Sequence, residues 1–174
     1  AYNGAKAALI VTPFDPKAGF GNDAQLTATM IDHAVQNGVK YIVLVASFTV
    51  NNRERMPIIS SRFYPSEQLL EKLGKEKQIK WTVLRGGVFM ENMLHDFKKI
   101  KKQSILSYPK VCIPPVYTKD IGKCAARLLT ENDFEKYHGK YFEMNGPELL
   151  NGEDMALIFS KVLNQEIKYQ ETPI

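Results

Sequence analysis

The sequence predicts an α/β fold, a parallel sheet covered by helices on both faces. Three observations carry that reading. The runs Ala7–Pro13 (AALIVTP), Tyr41–Ser47 (YIVLVAS) and Trp81–Leu84 (WTVL) are apolar throughout rather than alternating, as strands buried on both faces are. A segment with apolar residues at helical spacing follows each of them. Strand and helix then alternate along the chain, and such units close into parallel sheets through right-handed crossovers.

The elements follow in order. Ala7–Pro13 is a strand stopped by Pro13, and Phe14–Asn22, with Pro16, Gly19 and Gly21, reads as a loop. Asp23–Asn37 is helical: Leu26, Met30, Ala34 and Val35 share a face, and Gly38 supplies the stop. Tyr41–Ser47 is the second strand, and Asn51–Pro57 is polar and loop-like. Ser66–Leu73 is a helix with Leu69, Leu70 and Leu73 on one side, ended by Gly74. Trp81–Leu84 is the third strand, broken by Gly86 and Gly87. A helix is expected near Met90–Lys101, and short extended pieces in the proline-containing stretch 104–118. Asp120 is placed to cap a helix running to Leu129. Lys140–Asn145 is a strand closed by Gly146 and Pro147. Asn151 or Gly152 opens a last helix to Leu163, and Glu166–Gln170 is a final short strand.

Composition bounds the function. With 174 residues, 44% hydrophobic and 24% charged, the chain is neither disordered nor collagen-like. No linker or repeat divides it, so residues 1–174 read as one domain. Cys112 and Cys124 make no disulfide framework and read as packed thiols in a reducing compartment, the cytoplasm or the nucleus. The longest pure apolar run, Tyr41–Ala46, is far short of the ~20 residues that span a bilayer, so no membrane role is expected. The first residues have no basic head and apolar core, so they are no signal peptide. Without an initiator Met, the chain reads as processed or cut from something longer. A net charge of +4 is mild and gives no call for nucleic acid.

Several motifs have two readings. Gly19-Phe20-Gly21-Asn22-Asp23-Ala24 formally matches G-x-G-x-x-G/A ahead of a helix. It does not follow its strand directly, and no acidic residue ends the next strand, so a flexible loop is the favoured reading. Tyr2 and Lys6 form a Y-x-x-x-K pair, but Gly4 breaks the helical turn that would join them. Lys98, Lys99, Lys101 and Lys102 read as a solvated helix end, with contact to phosphates or to an acidic partner as the alternative. His33, His95 and His138 are scattered and no C-x-x-C occurs, so no metal is expected. What remains is positional: open parallel sheets take ligands beyond the carboxyl ends of their strands. Those ends are Thr12-Pro13-Phe14, Ala46-Ser47-Phe48 and Arg85-Gly86-Gly87. Arg85 suits a phosphate or a buried carboxylate equally.

These segments resemble the NmrA-like family of atypical short-chain dehydrogenase/reductases. The resemblance rests on GAKAALIVTP (4–13), MIDHAVQNGVKYIVLVAS (30–47), RFYPSEQLLEKLG (62–74) and, most specifically, WTVLRGGVFMEN (81–92) with its T-x-L-R…F-x-x-N pattern. Asp120-Ile121-Gly122 with Ala125-Ala126, Tyr141–Pro147 and Leu149–Leu163 extend it. It implies a Rossmann fold binding NADP or NAD. Thr12, Pro13, Phe14, Ala46, Ser47, Phe48, Gly86 and Gly87 would touch the cofactor, and Val88, Phe89, Met90 and Asn92 would line the substrate side. It also implies reduction of a small electrophile, such as a quinone or azo compound, by an NAD(P)H-dependent oxidoreductase. The alternative is a non-enzymatic NADP-responsive redox sensor acting through protein partners.

Two departures accompany the resemblance. The family's opening strands and glycine loop have no counterpart, so the chain reads as a partial domain starting at the fourth strand, and cofactor binding by this chain alone is in question. Its first strand would then be an exposed apolar edge open to self-association. Counting back from Glu67, Phe63 stands where relatives often carry Lys or His, so no residue is assigned a catalytic role.

Overall fold

A computed structural model describes residues 2–14 and 20–173. In chain order the elements are β1 (Ala7–Val11), α1 (Phe20–Gln36), β2 (Tyr41–Ser47), the 3-10 turn η1 (Phe48–Asn52), α2 (Pro57–Ser60), α3 (Tyr64–Lys75) and β3 (Lys80–Gly86). There follow η2 (Met90–Asp96), α4 (Phe97–Gln103), β4 (Ile105–Pro109), α5 (Thr118–Leu129), η3 (Phe134–Tyr137), β5 (Lys140–Met144), α6 (Gly152–Leu163) and β6 (Lys168–Thr172). They make two compact units, one of residues 1–86 and 121–144, the other of 87–120 and 145–174.

The first unit holds a parallel sheet in the order β1-β2-β3-β5. Tyr41 pairs with Ala7 on one side and Lys80 on the other, and Thr82 pairs with Lys140. On one face, Ile31 and Ala34 of α1 and Leu70 and Leu73 of α3 pack with Ile10, Ile42, Leu44, Trp81 and Val83. Each large aliphatic side chain so buried stabilises the fold by ~1.5–3 kcal/mol. On the other face the Tyr41 hydroxyl meets Thr82 Oγ1 at 2.6 Å, and Thr82 donates to the Tyr137 carbonyl at 2.7 Å. Phe134 stacks on the Tyr41 ring at 4.5 Å between centroids. β2 and β3 lie inside the sheet, and their apolar runs Tyr41–Ala46 and Trp81–Leu84 are buried throughout, as expected. β1 has the exposed edge expected of a first strand that lacks the family's opening strands, not the burial on both faces that its apolar run alone suggests. It is an edge strand, with Ala8 and Ile10 buried but Leu9 and Val11 about half exposed.

Local packing moves several boundaries. α1 begins at Phe20, so Phe20–Asn22 are helical rather than loop, while the rest of that loop beyond Phe14 lies outside the described residues. Polar residues 51–57 are not one loop, since η1 and the short α2 occupy its ends. Gly74 does not end α3. A Cβ there would sit 2.5 Å from Trp81 Nε1, so glycine is demanded by packing inside the helix. The stop falls on Lys77, which takes the left-handed conformation (φ 55°) while Gln78 N–H reaches back to the Leu73 carbonyl.

The second unit is smaller. β4 and β6 form a parallel pair, and Ile100, Leu106, Met155, Ala156 and Ile167 make its core. Asn151 caps α6 in a reciprocal box with Asp154, as an Asn followed three residues on by an acid should. The helix expected near 90–101 is instead η2 followed by α4. In α4 the lysines 98, 99, 101 and 102 face solvent around buried Ile100. Asp120 lies in the first turn of α5 rather than at its cap. Glu91 takes that role, accepting from the Thr118 N–H at 3.1 Å and from its hydroxyl. Burial would raise the Glu91 carboxyl, but the Thr118 bonds outweigh it and hold it below its ordinary value. Cys112 is exposed rather than packed, and Cys124 is partly buried with its thiol pushed up by burial.

Candidate functional site

Within the first unit, the carboxyl ends of the parallel strands gather the polar side chains of interest. A helix in a strand–helix–strand unit starts on the side where its strand ends. The first turns of α1 and α3 therefore lie on the same edge of the sheet as Thr12 and Ser47.

Three buried polar atoms on this edge have no hydrogen-bond partner among the described residues: Thr12 Oγ1, Asp23 Oδ1 and Ser66 Oγ. Thr12 follows β1, Asp23 sits in the first turn of α1, and Ser66 in the first turn of α3. An unpaired buried hydroxyl or carboxylate oxygen costs about 1–3 kcal/mol. Three of them together mark a place where the fold leaves donors and acceptors for something else to satisfy. The other Asp23 oxygen pairs with Arg62 Nε. The Arg62 guanidinium lies 4.7 Å from the Phe14 ring centroid and 5.1 Å from that of Phe63. Phe63 itself packs against the core, so no titratable group stands at that position.

The remaining expected cofactor residues of this unit take these places. Pro13 is half-buried, Phe14 exposed and Ala46 buried at the end of β2. Ser47 caps η1, its Oγ accepting from the Thr49 N–H at 3.3 Å and meeting the Thr49 hydroxyl at 3.1 Å. Phe48 opens η1, and buried Gly86 ends β3 opposite Ser47. Arg85 is resolved in favour of the carboxylate. It grips Glu67 with two bonds, 2.6 Å and 3.1 Å, and also donates to Asn51 Oδ1. Its guanidinium lies 4.1 Å from the Tyr141 ring centroid. The Tyr141 hydroxyl donates to Glu71 at 2.6 Å. Burial, then the Glu71 carboxylate, push that phenol well above its ordinary value, so it holds its proton at neutral pH.

Gly87 and the expected substrate residues belong to the second unit. Val88 and Met90 bond to the two sides of Val116, the former accepting at 2.8 Å and the latter donating at 2.9 Å. Phe89 caps η2, and Asn92 N–H bonds back to the Phe89 carbonyl. Of the four, Met90 lines a recess of about 290 Å³, with Met93, Leu94, Glu148, Ile158 and Phe159.

Sequence reasoning passed over Asp23, Arg62 and Ser66. Arg62 precedes α3 and reaches back to Asp23 in the first turn of α1, a pairing that no local pattern announces. Gly19 of the Gly19–Ala24 motif lies outside the described residues. Gly21 falls within α1 with open space where a Cβ would stand, so nothing there requires glycine. Tyr2 packs on the core and Gly4 turns at φ 76°, so Tyr2 and Lys6 share no helical turn. Among the described residues, no three His, Cys, Asp or Glu side chains are placed to hold a metal, and no helix is long and apolar enough to cross a membrane.

A family model described as NmrA-like matches residues 1–174. Two curated relatives are similar. Prestalk A differentiation protein A of Dictyostelium discoideum is 25% identical over 166 residues, 94% of this chain and 48% of that protein. An NAD(P)H azoreductase of Xenophilus azovorans is 24% identical over 171 residues, 97% of this chain and 55% of that protein. Among solved structures, an NADPH-dependent quinone oxidoreductase of Escherichia coli complexed with NADPH superposes with a TM-score of 0.80 at 20% identity, over 98% of this chain and 56% of that one. The chain spans about half the length of the curated relatives it matches. The fold is the Rossmann-like α/β fold of NAD(P)H-binding oxidoreductases.

Proposed function

Because this chain belongs to the NmrA-like family, we propose that the carboxyl edge of its first unit binds NADPH or NADH in the reduction of a small electrophile. A quinone or an azo compound is the substrate class that the names of its neighbours favour. The observation that carries the reading is the set of unpaired buried polar atoms at Thr12, Asp23 and Ser66. They lie where parallel sheets take ligands, and a dinucleotide offers hydroxyls and an amide to satisfy them.

Thr12 Oγ1 is a donor and acceptor with no competing partner among the described residues. Pro13 fixes the backbone beside it, and Phe14 supplies an exposed ring at the mouth. Ala46, Ser47 and Phe48 form the second wall, with Ser47 oriented by its bonds to Thr49. Glu67 and Arg85 satisfy each other and hold α3 on β3, which fixes Ser66 without offering a charge to the ligand. The reduced nicotinamide, when bound, supplies the hydride. This edge supplies binding and orientation, and with Phe63 in the core and the Tyr141 phenol held protonated, the proton that completes reduction of a quinone comes from solvent.

Thr12→Val tests this directly, since it keeps the shape and deletes the hydroxyl. Calorimetric titration is expected to show NADPH binding weakened about tenfold, one hydrogen bond's worth. Urea unfolding of the free chain is expected to show a gain of about 1 kcal/mol, because an unpaired buried group is gone. Consumption of NADPH with a quinone or an azo dye should fall with the binding. Unchanged affinity in Thr12→Val would place the cofactor elsewhere. Binding without any turnover would leave a cofactor-binding protein and remove the reductase.

A further inference from the structure

The opposite edge of the same sheet holds a feature that this reading does not use. At the amino ends of β2 and β3 a recess of about 750 Å³ opens between the end of α3 and the segment before β5. That is within the ~300–1,000 Å³ of small-molecule sites. Lys40, Lys75, Lys77 and Lys80 line it, with Glu135 as the sole lining carboxylate among the described residues, so the lining is net +3 in a chain whose total is +4. Glu135 and Lys80 pair with each other at 2.7 Å, and neighbouring Glu76, outside the lining, accepts from Gln78 at 2.8 Å and keeps its charge. The half-charge at the end of α3 explains one or two lysines there, not four arriving from three different segments.

The recess is also built. Strand pairing fixes Lys40 beside Lys80, whose N–H bonds to the Lys40 carbonyl at 2.9 Å. Gly74 lets Trp81 and His138 close against α3. His138 Nδ1 accepts from the Trp81 N–H at 3.3 Å, which leaves Nε2 as the ring's donor. Lys77 occupies the left-handed position that glycine normally takes.

We propose that this amino-edge recess binds a small polyanion carrying two or more linked phosphates, as an inorganic polyphosphate or a nucleoside triphosphate does. With Lys80 paired to Glu135, the recess still presents Lys40, Lys75 and Lys77 from two segments of the chain, a set that suits linked phosphates better than a single one. A nucleic-acid strand is not the occupant favoured here, because Phe134, the recess's aromatic ring, is already stacked on Tyr41 and gives no platform for bases.

The test is calorimetric titration of the intact chain with sodium tripolyphosphate, with orthophosphate and ATP as further arms. Tripolyphosphate is expected to bind more than about tenfold tighter than orthophosphate, and to weaken as ionic strength rises. The double variant Lys75→Glu, Lys77→Glu should lose at least about tenfold in affinity, while Lys98→Glu, Lys99→Glu, an equal change of charge in the other unit, should stay within about twofold. Equal affinity for ATP and tripolyphosphate identifies the phosphate chain alone as the ligand, and tighter ATP adds a contribution from the nucleoside. No binding of tripolyphosphate, or equal loss in both double variants, overturns the proposal. A melt of each variant guards against unfolding, and Lys40→Gln provides a milder change should the charge reversals not fold.

Discussion

Replacing Arg85 by leucine is expected to lower the unfolding free energy by about 3–5 kcal/mol, the cost of stranding one partner of a buried ion pair. Glu67 is 1% exposed and holds both Arg85 bonds. Without the guanidinium its carboxylate has no counter-charge, Asn51 loses a donor, and the Tyr141 ring loses the cation over its face. Equilibrium urea unfolding measures the loss. The double variant Glu67→Leu, Arg85→Leu should recover most of it, since an apolar pair of similar volume replaces the charges without stranding either.

The pH dependence has a definite sign. Burial raises the Glu67 carboxyl above its ordinary value, and the bonds and charge of Arg85 pull it back only in part. The folded state therefore holds this proton more tightly than the unfolded chain. Stability contributed by the group falls as pH rises through the window between the two pKa values. In Arg85→Leu the folded pKa rises further and the window widens. The variant's penalty should be greatest near neutral pH and shrink as the solution is acidified to the carboxylate range. A penalty independent of pH would mean that Glu67 is solvated.

The second large effect belongs to the other unit. Gly146→Ala is expected to cost about 3 kcal/mol or more, as overpacking against immovable atoms does. A Cβ at Gly146 would stand 2.0 Å from the Pro115 carbonyl oxygen and 2.9 Å from its carbon, and backbone cannot swing aside as a side chain can. The Gly146 N–H bonds to the Pro114 carbonyl at 3.1 Å, so separating the two segments also sacrifices that bond. Gly122→Ala is the control. It lies inside α5 with open space around its would-be Cβ, and should gain about 0.5–1 kcal/mol from helix propensity. Thermal melts of the two variants should move in opposite directions.

The legible part of the fold was the part set by neighbours in sequence. β2 spans Tyr41–Ser47 as its apolar run predicts, because a central strand of a parallel sheet needs an unbroken apolar run. The α6 cap is likewise written in Asn151 and Asp154. Misreadings came where a distant residue decides. Gly74 looks like a helix stop until Trp81 is packed on it. Arg85 could not be assigned from sequence, because its carboxylate lies eighteen residues away on a helix that must first fold back onto β3. The candidate site was legible as strand ends, since strand carboxyl termini can be counted from sequence. Its telling property, buried polar atoms without partners, exists only after packing. The lysines of the amino-edge recess are also scattered over forty positions, and only strand register and a helix end collect them.

The most direct test of the central claim is hydrogen–deuterium exchange of this chain with and without saturating NADPH, in excess tripolyphosphate so that the lysine recess is filled in both samples. The account predicts slowed exchange at the amides of Thr12, Phe14 and Ala46–Phe48, with the Lys75–Lys80 segment unchanged. Bound NADPH that leaves those strand ends unprotected would contradict it.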